Sequence, residues 1–287
     1  MYKSFLARCS IGTIWLFGAS MVGHTQALDD AAKAGAATPT LMGVWARSDQ
    51  EARFMPPPTG PGPVRDDPAH PHHGHREGVP GKPDISATPW VADLSNPILK
   101  PWVAAALKKN ADIGLAGDEI NPPHVYCRPS GVPGSLALLE NVEFVQTPDR
   151  VTILYQRDAQ VREIYLNVPH SKNPEPSYYG ESVGHFEGDA LVVDTIGLND
   201  HTVTDLYSTP HSDAIHVVER YHVVDGGKTL QVDFTVDDPK AFNMPWSAVV
   251  HYRRAQQPFQ EIICAENNTD INTGKLYPIP IAAKPDF

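Results

Sequence analysis

From residue 141 onward, apolar and polar residues alternate with a period of two in short runs, and that alternation restricts the chain to β architectures. The runs cover 142–146, 151–155, 161–166, 178–186, 190–196, 215–224, 229–236, 247–254 and 259–264. Thr147-Pro148-Asp149-Arg150, Glu187-Gly188-Asp189 and Asp225-Gly226-Gly227-Lys228 supply tight links between them. About nine strands joined mostly by short turns, with no alternating helices, make an antiparallel meander. A meander of this length exposes two edges unless it curls shut. The expected fold is therefore mainly β, a lipocalin-like closed barrel, with a two-sheet sandwich as the alternative.

Ahead of these runs, residues 38–133 are dense in proline, including Pro56-Pro57-Pro58 and Pro122-Pro123. Each proline removes a donor and fixes φ, so this stretch is expected to wrap over another element. Two exceptions are expected: a short strand at 41–46, and a helix at 96–110. Asn96 would cap that helix, Pro97 and Pro101 would fall early in it, and Lys108 and Lys109 would sit near its negative end. The organisation reads as 1–27 signal peptide, 28–133 Pro/His-rich wrapping segment and 134–287 barrel domain.

Residues 1–27 carry Lys3 and Arg8, an apolar stretch from Ile11 to Val22, and a small-x-small site at Thr25-Gln26-Ala27. That pattern predicts a periplasmic or secreted protein. The apolar run is shorter than the roughly 20 residues a membrane span requires, and no other segment is long enough. Cys9 would leave with the signal. Cys127 and Cys264 would then form one disulfide in an oxidising compartment, the competing reading being a thiol nucleophile at Cys127 beside Arg128. With 34 Asp+Glu against 23 Lys+Arg and no long basic run, nucleic acid is not an expected partner.

Gly43-Val44-Trp45 resembles the Gly-x-Trp that opens lipocalin barrels, where the Trp plugs one end, although here it stands far ahead of the meander. The stretch Gly184-His185-Phe186-Glu187-Gly188-Asp189-Ala190-Leu191-Val192-Val193-Asp194-Thr195 resembles the hallmark of an uncharacterised family of exported bacterial β-rich proteins. The similarity runs roughly from Cys127 to Asn268. It implies export and a β architecture, and brings no reaction or catalytic residue.

Glu219 is the most informative single position. Alternation on 215–224 puts it with Ile215, Val217, Tyr221 and Val223 on an apolar face. A carboxylate taken out of water there is either a proton-transfer group with a raised pKa or half of a buried ion pair, with Arg253 or Arg162 as partner. His185 shares parity with Tyr179 and Glu181, while Gly180, Ser182 and Gly184 face the other way and leave room for a ligand or for close packing. The long loop between 190–196 and 215–224 carries Asp200, His201, His211 and Ser212, and such loops often bind or catalyse. No Gly-x-Ser-x-Gly elbow supports a serine hydrolase. His70, His72, His73 and His75 could bind a metal weakly, but lack ligand spacing for a built centre. No metal site and no organic cofactor are expected.

These features point to an exported enzyme performing cofactor-free acid–base chemistry, a lyase, isomerase or hydratase, on a small apolar or phenolic substrate. Glu219, His211, His185, His201 and Asp200 are the catalytic candidates, and Tyr155, Tyr179 and Tyr221 would orient substrate. The alternatives are a periplasmic protein that binds a hydrophobic ligand, and a metal-handling protein using the 70–75 histidines. Oligomeric state is not indicated.

Overall fold

The computed structural model describes residues 40–48, 53–73, 88–118, 120 and 122–267, all within one compact unit. The signal region, Cys9 and His75 lie outside the described residues. Nine strands form a closed barrel in sequence order. They are β1 (Gly43–Arg47), β2 (Val142–Gln146), β3 (Arg150–Tyr155), β4 (Gln160–Leu166), β5 (Glu181–Glu187), β6 (Ala190–Ile196), β7 (His216–Val224), β8 (Thr229–Asp237) and β9 (Trp246–Arg254). The mainly β barrel is thus the observed architecture. Among the described residues no helix is long and apolar enough to cross a membrane.

The strand that shuts the barrel is not the one the meander suggests. Residues 259–264 form no strand; one bridge joins Ile262 to Arg157, and Cys264–Asn267 make a single helical turn. The closing place is taken by β1, which pairs Trp45 with Val142 of β2 on one side and with Arg254 of β9 on the other. The chain after β1 continues along β9, through Ser48 N–H to His251 O and the Met55–Val249 bridge. Phe259 and its neighbours therefore meet an edge already satisfied. The fully buried Trp45 ring lies under the Arg254 guanidinium, 3.7 Å from centroid to Cζ. Gly43 at φ +109° makes this possible, since a Cβ there would fall 2.8 Å from Arg254.

Two other departures have clear causes. β4 and β5 pair in parallel, with Ile164 opposite Ser182, because residues 167–180 cross over instead of turning back. His170 fastens this crossover to the outer sheet face, between Glu181 (2.8 Å) and Asp194 (2.9 Å). Helix α1 spans Pro101–Leu115 rather than 96–110, since Pro101 belongs in a first turn. Asn96 instead accepts the Ile98 N–H in an Asx turn. Val103, Leu107 and Ala111 make the buried stripe of α1.

The interior is packed. Alternation puts Val217, Glu219 and Tyr221 of β7 inside with Leu230, Val232, Phe234 and Val236 of β8 and Trp246, Ala248, Val250 and Tyr252 of β9. Cys127 and Cys264 come together at disulfide distance, with Cα atoms 5.4 Å apart across 137 residues of sequence. This anchors the segment after β9 to the end of the wrapping segment. By loop-closure entropy, replacing both cysteines with Ser should lower unfolding stability by about 4–5 kcal/mol. The urea midpoint measures it, and an unchanged midpoint under oxidising conditions would show that the thiols are not bonded.

Candidate functional site

Inside the barrel, Glu219 is 0% exposed and Arg162 of β4 is 1% exposed, and the two form a bidentate ion pair. The guanidinium reaches Oε1 at 3.0 Å through one nitrogen and Oε2 through the other. Its remaining donors go to Ser182 Oγ (3.1 Å) and Thr195 Oγ1 (2.8 Å), while the Tyr221 hydroxyl donates to Glu219 Oε1 at 2.7 Å. Burial pulls the Arg162 pKa down, but the Glu219 charge and hydrogen bond, together with the Tyr221 and Tyr155 phenols, outweigh it and hold the group well above its ordinary value. Burial, reinforced by the same carboxylate, pushes the Tyr221 phenol up, so it stays a donor. Of the two cations named for Glu219, Arg162 is the partner; Arg253 is exposed on the outer face.

The other residues singled out from sequence do not gather around this pair. His185 is on the outer face, its Nε2 2.9 Å from Glu187, which also binds Arg220. The opposite, small-residue face is filled: a Cβ at Gly184 would sit 3.0 Å from both Ile164 and the Val192 carbonyl. His201 and Asp200 are exposed neighbours, 3.6 Å apart. His211 is buried in the same loop, with Nε2 2.6 Å from Thr202 Oγ1 and Nδ1 donating to Ser212 O at 2.8 Å. Burial lowers its pKa. Ser212 donates to Asp238 (2.7 Å) and not to His211, so no serine triad is assembled. Tyr155 stacks on Tyr179 at 5.3 Å and takes a bond from Ser135, and burial raises both phenols. Tyr221 alone among the named tyrosines touches Glu219.

A cleft of about 640 Å³ lies where the wrapping segment meets the long loop, and none of the catalytic or substrate-orienting candidates lines it. Its walls are Phe54, Met55, Val64, Trp90, Leu206 and Tyr207. His72 stacks on Trp90 at 3.6 Å, and Tyr207 meets the same ring edge-on at 5.4 Å. Arg53 lies over Trp90, donates to Asp66 (2.9 Å) and to His72 O (2.7 Å), and Asp66 also accepts the Tyr207 hydroxyl at 2.8 Å. Since a carbonyl only accepts, the 2.6 Å contact to Thr88 O places a proton on His72 Nδ1, while burial lowers the ring's pKa. Nε2 of the neutral ring is then an acceptor.

Asp205 organises the loop side. Its Oδ1 accepts the N–H groups of Tyr207 (3.0 Å) and Thr209 (3.1 Å), which fixes the turn that presents Leu206 and Tyr207. Burial pushes its pKa up to about 6, against the lowering effect of these bonds. The cleft is not legible in the sequence because its residues come from separated, aperiodic stretches. His72, His73 and the long loop stand out there, but nothing in the sequence brings them together. Among the described residues no group of three or more His, Cys, Asp or Glu is placed to hold a metal ion.

Glu219→Gln leaves a buried guanidinium without its counter-charge and should cost about 3–5 kcal/mol, whereas Arg162→Met combined with Glu219→Leu should recover most of the loss. Urea unfolding of the three proteins checks this; a double variant no more stable than Glu219→Gln would contradict a coupled pair. For Asp205, the folded pKa of about 6 lies above the ordinary 3.8, so between those values the folded state holds a proton that the unfolded chain has released. Stability from this group should fall as pH rises through that window and level off above it. Asp205→Asn, which keeps the Oδ1 acceptor, should flatten the profile in urea midpoints measured across the window.

Against known proteins, the chain matches no family model and no curated protein.

Proposed function

We propose that this protein is exported and binds a small, largely apolar molecule in the cleft between the wrapping segment and the long loop. The observation that carries the reading is the contrast between the two interiors. The barrel core is filled by its own side chains around the Arg162–Glu219 pair, whereas the cleft is a roomy concavity of ligand size whose aromatic walls Phe54, Trp90 and Tyr207 stand among charged groups that include Arg53, Asp66 and Asp205. The signal-like residues 1–27 and the Cys127–Cys264 pair support export.

A second reading, acid–base catalysis in the same cleft, is favoured by one feature: Asp205, with a pKa of about 6, shares it with His72. On either reading the barrel is the scaffold and the cleft is the working surface. Glu219, clamped on both oxygens, would contribute order rather than proton transfer.

The neutral fluorescent probe N-phenyl-1-naphthylamine should bind the full chain saturably. Trp90→Ala and Met55→Glu, the latter at a half-exposed wall position, should each weaken it about tenfold or more. Unaltered titrations in both variants would overturn the cleft reading. Chemical recovery of the bound molecule separates binding from turnover: unchanged ligand supports binding alone, and a product that disappears in Asp205→Asn supports the enzyme.

A further inference from the structure

Resting on the cleft reading, we infer that the molecule taken is a planar aromatic acid, with its ring against the Phe54, Trp90 and Tyr207 walls and its carboxylate on Arg65. The inference comes from which charges in the cleft are already answered. Arg53 is engaged by Asp66 and by the His72 carbonyl. Asp66 is engaged by Arg53 and by the Tyr207 hydroxyl. Asp205 receives the backbone N–H groups of its own turn. Arg65 lines the same cleft, is exposed, and among the described residues has no carboxylate at ion-pair distance.

A cationic ligand entering this cleft would find every carboxylate occupied. An anionic one meets the Arg65 side chain at the cleft, and a guanidinium can make two parallel hydrogen bonds to a carboxylate, a pairing that suits arginine better than lysine. A neutral ring would gain the walls and leave Arg65 solvated. The chain's formal charge of −11 gives an anion no long-range attraction, so any preference for the acid must arise at contact.

The test compares 2-naphthoate with 2-naphthalenemethanol, which has the same rings without the charge, by tryptophan fluorescence and calorimetry on the full chain. Naphthoate should bind at least about tenfold more tightly, and Arg65→Gln should erase that preference while leaving the alcohol's affinity unchanged. Arg65→Glu should weaken naphthoate further. Equal affinities in the wild-type protein, or a preference that survives Arg65→Gln, would overturn the acid inference while the cleft reading stands. Binding of neither probe would overturn both.

Discussion

The Arg162–Glu219 pair is the interaction on which the arrangement of this barrel depends. Through its guanidinium and carboxylate it links β4 to β7, and through Ser182 and Thr195 it also holds β5 and β6. These strands include the parallel β4–β5 seam, where the paired register covers only Ile164 to Leu166. A bidentate pair contributes little net stability compared with well-packed hydrophobic residues in its place, but any shift in register would strand a charge in an apolar interior. Sliding a strand by one residue would also carry Glu219 or Arg162 to the outer face and bring a neighbour in. The pair therefore acts mainly against alternative registers, at a seam where backbone pairing covers three residues.

That same pair decides where function can sit. A barrel whose interior holds a hydrogen-bonded ion pair and Trp246, Tyr252, Phe234 and Tyr221 fills its centre with its own side chains, unlike barrels that hold one small molecule there. Concave surface then has to come from additions to the barrel. The proline-rich segment provides it, since a chain that cannot form ladders of its own must drape over the strands and leave hollows at its bends. Its strand β1 is the exception, and it is the part that enters the sheet.

The sequence carried the strands well because side-chain alternation is a local property. It carried the burial of Glu219 for the same reason, and the alternation of β4, with Ile164 and Leu166 sharing the parity of Arg162, held the choice between Arg162 and Arg253. What alternation does not encode is which edge a distant strand will find. β1 and residues 259–264 are both short and apolar, and only three-dimensional competition for the edge of β9 separates them. The start of α1 differs because Asn96 and Pro97 resemble a cap and first turn, while Pro101 suits only a first turn and the helix begins there. The cleft was the least legible feature: Arg53, Asp66, His72, Trp90 and Tyr207 fall in no common period, and their association is purely tertiary.

The cleft nevertheless has the character of a built site, because several of its walls are held in place by bonds to other parts of the chain. Met55 is bridged to Val249 of β9, and Asp66 to Ala92. Tyr207 rides on the turn held by Asp205, and Asn110 of α1 donates to its carbonyl. His72 is tied to Thr88, so the stack on Trp90 exists before any ligand arrives. Association then pays little to order side chains, and the affinity available from a modest apolar area is correspondingly larger. The barrel's contribution to binding is rigidity: it supplies the sheet edge, the helix dock and the loop anchors that hold three unrelated pieces of chain around one hollow.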